Sequence, residues 1–322
     1  KGGIFQIKKG SLPISQRPPA DNDEKTEILP SCSDDLHLED IFFTIGSNSA
    51  SVIEILQKCA NLEGQGRKLC VLKENAELDG VKLGLEGSHQ RINASLAIAL
   101  CKAIMNTKGE NKQLNVEYKN DFSYALEHVS WPGRCQVVHD AETKLSLWLD
   151  GAHTGESMKA CLNWFQYQLK KTAKRKCTLI FNCSHERKPV PLMQLLHKCQ
   201  IFDSVYFCTP DFERPSKEEK PCAKTLLKEA GYIIDDEGGG SILTWQETLA
   251  KVWSFLDRDM EHRCTLASNI KVADALNCLK RHDKNHTGID ILVVGSLYLV
   301  GSALQAVDWK EDNAEGHLKS QS

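Results

Sequence analysis

Beyond residue 140 the chain alternates short apolar runs with amphipathic stretches, and this alternation restricts its fold more than any other feature. Leu145–Leu149, Thr178–Asn182, Ser204–Cys208, Cys264–Ala267 and Asp290–Val294 read as strands. Gly155–Lys171, Pro191–Lys198, Lys217–Glu229, Gln246–Arg258, Lys271–Arg281 and Val300–Val307 read as helices. In the first of these helices Met158, Cys161, Leu162, Phe165 and Leu169 recur at three- and four-residue spacing, the stripe of a helix that buries one face. Strands separated by helices in this way lie parallel in one sheet. The expected architecture over residues 122–322 is therefore α/β, a doubly wound, Rossmann-like domain.

Two short motifs fall at informative places in that pattern. Trp131-Pro132-Gly133 predicts a tight turn that presents Arg134, and Asp150-Gly151-Ala152-His153-Thr154 follows the first strand directly. Asp150 and His153 then sit at the carboxyl end of a strand and face a helix start. Ligands bind at that edge of open α/β sheets, and the amides of a helix start favour phosphate or carboxylate. The planar fork of an arginine matches a pair of phosphate oxygens better than a lysine does. Taken singly, each residue has a plainer explanation: a surface arginine, a turn-forming Asp before Gly, a hydrogen-bonded loop histidine. Their joint placement argues for use in a site. Arg187 lies in the loop after the second strand, again at a carboxyl end, and could clamp a carboxylate through two parallel hydrogen bonds. The first two strands are expected to be neighbours, which would bring the two loops into one cleft.

The pair WPGR and LDGAHT resembles the carboxy-terminal domain of the folylpolyglutamate synthase family, ATP-dependent ligases related to the Mur ligases. Other segments are similar to the same family in the same order. Gly87–Ala97 resembles its HQxxNAxLA helix, and Phe181-Asn182 with Arg187 and Pro189 its FNxxxxRxP segment. Leu292–Gly301 resembles a late strand and loop of the animal enzymes, and Lys1-Gly-Gly-Ile-Phe5 a KGGIF stretch. The resemblance implies a ligase that adds L-glutamate to tetrahydrofolates and their polyglutamates, with ATP and Mg²⁺, as a monomer. It implies that Arg134 meets ATP phosphate, that Asp150 helps bind nucleotide, and that His153 lies near the phosphates and glutamate. Arg187 is implied for the glutamate substrate, and Ser296 belongs to a matching GSL loop, where capping a helix explains it equally well. His89, Gln90 and Asn93 are implied for adenine. Lys1 aligns with a lysine that the family carbamylates to hold a second Mg²⁺.

On the residues alone, His89 and Asn93 share a helical face with Gln90 beside them, and amide side chains both donate and accept, as an adenine edge requires. Simple capping of a helix with a buried stripe of Leu96, Ala97, Leu100 and Ile104 is the plainer account. By the resemblance, residues 1–121 are the remainder of a P-loop ATPase-type domain. The sequence contains no GxxxxGK[ST], the loop that would cradle ATP phosphates, so the chain is expected to be a carboxy-terminal fragment without activity of its own. Residues 8–40, rich in Pro, Ser and charge, read as an insertion or disorder, and residues 106–120 as a polar hinge.

Composition narrows the remaining classes. A net charge of −3 gives no nucleic-acid signature, and no apolar run reaches the ~18–20 residues of a membrane span. Thirteen scattered cysteines suit a reducing compartment, with the cytoplasm or mitochondrial matrix as the expected location. Dihydrofolate synthase, or a bifunctional relative, shares the motifs and stays open, as does a non-catalytic nucleotide- or folate-binding module. A dinucleotide oxidoreductase would need a GxGxxG after a strand, and none is present.

Overall fold

The computed structural model describes residues 5–6, 41–45, 50–61, 68–73, 78–107, 116–140, 143–212, 220–233, 243–260, 264–283 and 287–310. They fall into two compact units, residues 1–83 with 89–128, and residues 84–88 with 129–322. Lys1, the expected insertion at 8–40 and most of the expected hinge lie outside the described residues.

The first unit contains β1 (Phe5–Gln6), β2 (Ile41–Ile45), α1 (Ala50–Asn61), β3 (Lys68–Leu72), α2 (His89–Thr107) and α3 (Val116–His128). Its sheet runs β1-β2-β3, with β1 antiparallel and β3 parallel to β2. Two buried clusters flank α2: Leu96, Ala99 and Ala103 meet Phe43, while Ala94 and Ile98 meet Leu78, backed by Phe122 and Leu126. The expected stripe is thus rotated. Ala97 and Ile104 are exposed, on the same side as Asn93, because the helix is covered on two flanks. Helix α3 also passes through the expected boundary at 121/122, and the second unit resumes at Val129. Only Phe122 and Leu126, one turn apart, anchor the described part of α3 to the core, too faint a pattern to declare a helix.

The second unit begins with β4 (Gln136–His139), β5 (Leu145–Asp150), α4 (Gly155–Leu169), β6 (Lys176–Phe181) and α5 (Pro189–Lys198). There follow β7 (Ser204–Thr209), α6 (Ala223–Glu229), α7 (Trp245–Leu256), β8 (Thr265–Lys271), α8 (Val272–His282), β9 (Ile289–Val294) and α9 (Leu297–Ala306). The sheet order is β4-β5-β9-β6-β7-β8, parallel except for β4, which pairs antiparallel with β5. This is the expected doubly wound class. Trp148, Leu179, Phe181, Val205 and Phe207 pack against α4, α5, α6 and α7 on one face. Leu147, Ile180, Tyr206, Ile291 and Val293 pack against α8 and α9 on the other.

The connections explain the order. From β5 to β8 the chain advances across the sheet with its helices on one face. It then returns through α8 on the opposite face, and β9 enters between β5 and β6. The expectation that β5 and β6 are neighbours is therefore corrected: Val294 of β9 pairs with Asp150 on one side and Phe181 on the other. Helices leave β5 and β6 toward one face and β9 toward the other. Such a reversal opens a crevice at the carboxyl ends of the strands.

Candidate functional site

Three loops meet that crevice: residues 151–154 after β5, 182–188 after β6 and 295–296 after β9. The first is closed locally. Thr154 caps α4, its hydroxyl accepting from the Ser157 amide at 3.3 Å while Ser157 Oγ accepts from the Thr154 amide at 3.0 Å. The His153 amide donates to Ser157 Oγ, and His153 Nδ1 lies 2.8 Å from the Gly151 carbonyl. A carbonyl only accepts, so Nδ1 carries the proton and Nε2 is the lone-pair nitrogen of the neutral ring.

The arginine turn is fastened to this loop at several points. The Arg134 amide donates to the Trp131 carbonyl at 3.2 Å, and Gly133 takes up a φ of +73° that favours glycine. Gln136 turns its side chain back so that Oε1 accepts from the Gly133 amide at 2.9 Å. The Gly151 amide donates to the Gly133 carbonyl at 2.9 Å. A β-carbon on Gly151 would lie 3.3 Å from Arg134 Nη1 and 2.4 Å from Leu297 Cδ2. Arg134 and the Asp150–His153 loop therefore share one end of the sheet, with the guanidinium beside Gly151.

Asp150 is buried, and both of its oxygens have partners. Oδ1 accepts from the Ala152 amide at 2.8 Å; Oδ2 accepts from the Cys135 amide at 2.9 Å and the Cys135 thiol at 3.4 Å. Burial first, and the Asp150 charge second, push the Cys135 thiol well above its usual range, so it stays a protonated donor. Ser296 accepts from the Tyr298 amide at 3.2 Å and caps α9, one of the two roles the sequence leaves open for it.

Arg187 is exposed in a turn closed by its own amide to the Ser184 carbonyl at 3.0 Å. The loop carrying it is propped from α7: Trp245 Nε1 donates to the Cys183 carbonyl at 2.7 Å, and Gln246 Nε2 reaches Asn182 Oδ1 at 3.5 Å. It leads into α5, which packs on the same sheet face as α4. His89, Gln90 and Asn93 belong to the first unit. There Gln90 Oε1 accepts from Asn93 Nδ2 at 2.9 Å, and Gln90 Nε2 lies 3.1 Å from His89 Nε2. No group of three or more His, Cys, Asp or Glu side chains arranged for a metal occurs among the described residues.

No family model matches the chain. Among curated proteins, it is 31% identical over 259 residues to the folylpolyglutamate synthase of Candida albicans, a match covering 74% of this chain and 48% of that protein. It is 30% identical over 270 residues to the folylpolyglutamate synthase of Saccharomyces cerevisiae strain S288c, covering 74% and 45%. Over about three quarters of its length the chain is similar to folylpolyglutamate synthases. It spans about half the length of the curated relatives it matches. In fold it is similar to the folylpolyglutamate synthase of Mycobacterium tuberculosis, whose structure was determined with ADP and AMPPCP. The TM-score is 0.53 at 17% identity, over 82% of this chain and 54% of that one.

Against the folylpolyglutamate synthase pattern, several residues of the crevice escape motif reading. Cys135 and Gln136 directly follow WPGR, yet nothing in their identity announces that they fasten the turn. Trp245 and Gln246 lie some sixty residues from the loop they support. The one available signal is the Thr244-Trp-Gln-Glu247 start of α7, a capping pattern that fixes where that helix begins.

Proposed function

We propose that the protein carrying this chain is an ATP-dependent carbon–nitrogen ligase that joins L-glutamate by a γ-amide bond to tetrahydrofolates. The observation that carries this reading is the fastening of Arg134 to the Asp150–His153 loop at the carboxyl edge of the sheet, in a chain similar to folylpolyglutamate synthases. A γ-carboxylate becomes reactive toward an amine once it accepts the terminal phosphoryl group of MgATP as an acyl phosphate. Protein groups then act chiefly by position and charge. Arg134 would take up charge developing on the transferred phosphoryl group. His153, with its Nε2 lone pair, would accept a proton near the attacking amine. Arg187 would hold a carboxylate of the incoming glutamate. The chain by itself is inferred to be inactive, since it contains no phosphate-cradling GxxxxGK[ST].

The test is an assay of the full-length protein with MgATP, labelled glutamate and either tetrahydrofolate or dihydropteroate. Glutamate incorporation into tetrahydrofolate, with ADP and phosphate released in equal amounts, is the expected result. Incorporation into dihydropteroate alone would make it a dihydrofolate synthase. Nucleotide binding without incorporation into either would make it a binding module.

A further inference from the structure

We propose that Cys135 is a positioning residue for the nucleotide site: through Asp150 it locks the turn bearing Arg134 to the loop bearing His153. The inference rests on the reading that this crevice takes ATP.

Cys135 has a φ of +47°, in the left-handed region where a side chain costs free energy and glycine does not. Such a conformation in a residue other than glycine persists only when its surroundings impose it. Here the surroundings are explicit. The residue is 4% exposed, and its amide and thiol both donate to Asp150 Oδ2. The other oxygen of the same carboxylate holds the Ala152 amide. One carboxylate thereby ties the residue after Arg134 to the residue before His153. The Gly151–Gly133 hydrogen bond is a second tie beside it. Glycine at position 135 would satisfy the backbone and keep the amide bond, but it would leave Asp150 Oδ2 with one donor fewer. The thiol is thus the part of Cys135 that the backbone alone does not explain. Asp150 needs that donor because it is itself buried, and a carboxylate oxygen short of donors moves to find others. Any such movement carries Arg134 and Gly151 with it, because they are the chain neighbours of Cys135 and Asp150.

The experiment compares Cys135→Ala, which removes the donor, with Cys135→Ser, which keeps a hydroxyl donor at the same left-handed position. Both are made in the full-length protein. Steady-state constants for MgATP and glutamate are measured separately, with MgADP affinity by calorimetry. The expected result is a rise of about 3–10-fold in the MgATP KM and MgADP Kd of Cys135→Ala, the size of one lost hydrogen bond. Cys135→Ser should return both to within about twofold, and the glutamate KM should hold steady in either variant. Should the alanine variant fail to fold, a serine variant with wild-type nucleotide constants still supports a donor role, and a serine variant with weakened ones overturns it. Unchanged constants in Cys135→Ala, or a parallel rise in the glutamate KM, would also overturn it. A wild-type protein that binds no MgADP removes the functional reading itself, and the inference with it. Normal wild-type binding with an indifferent Cys135→Ala removes the inference alone.

Discussion

Gly295 approaches Asn182 so closely that a β-carbon on the glycine would stand 2.3 Å from the Asn182 carbonyl oxygen. Gly295 also has a φ of +107°, open only to glycine without strain. The loops after β9 and β6 thus touch backbone to backbone, and this contact sets the spacing of the crevice. Gly295→Ala should destabilise the domain by about 2–4 kcal/mol, since a backbone oxygen cannot yield as a flexible side chain does. Urea unfolding checks this. A midpoint near that of the wild type would show that the two loops part at little cost.

Arg134→Ala should lower ATP-dependent turnover by on the order of 100-fold or more while leaving folate affinity within a few-fold. Charge that develops during phosphoryl transfer is where a guanidinium contributes most. Single-turnover kinetics and folate binding on the full-length variant separate the two quantities. Normal turnover would take Arg134 out of the chemistry.

Arg187→Ala should raise the KM for glutamate by roughly 30–150-fold, equivalent to about 2–3 kcal/mol for a bidentate charge-assisted pair. The KM for MgATP should stay within about twofold, because the 182–188 loop is propped from α7 and not from the arginine turn. If the MgATP constant changed and the glutamate constant did not, the assignment of this loop would be reversed.

Asp290 offers a test of stability far from the crevice. It is buried on β9 between Ser146 and Cys177, and its Oδ1 accepts from Trp148 Nε1 at 3.0 Å. Burial holds its carboxyl above the ordinary carboxylate range, against the opposing pull of the indole donor and of Arg175. The folded chain therefore keeps this proton at a pH where the unfolded chain has lost it. Its contribution to stability falls as pH rises from the unfolded value, about 4, through the folded one. Asp290→Asn retains an acceptor for Trp148 and cannot ionise. Its melting temperature relative to wild type should be more favourable at pH 7 than at pH 4.5. A difference that does not vary with pH would show that Asp290 does not titrate on unfolding.

The order of strands and helices beyond residue 140 was legible in the chain because most of the strands are short apolar runs and the long helices carry apolar stripes. What local pattern could not carry was the position of β9, which depends on how the strands pair across the sheet. The edge strand β4 escaped for another reason. Three of its four residues are only partly buried, His139 is exposed, and no buried–exposed alternation runs along it. The same division holds for the crevice. The arginine turn and the Asp-Gly-Ala-His loop were each recognisable as segments. Their joining through Cys135 and Asp150 is a matter of tertiary hydrogen bonds between residues fifteen apart, which no spacing rule announces. The α2 stripe misled because two separate clusters cover that helix, so its buried positions do not follow one face.

The central place of β9 has a consequence for how the domain is made. On the ribosome, β5 and β6 emerge roughly 140 and 110 residues, respectively, before the strand that must lie between them. Through that interval each presents an edge of unpaired amides and carbonyls, a template for wrong partners. Pairing across so long a stretch of chain also carries a large entropic barrier and is slow. Synthesis therefore passes through a vulnerable stage, relieved only when Ile289–Val294 inserts and joins both halves of the sheet at once. A premature stop anywhere upstream of Ile289 should yield an aggregation-prone product, not a smaller working domain.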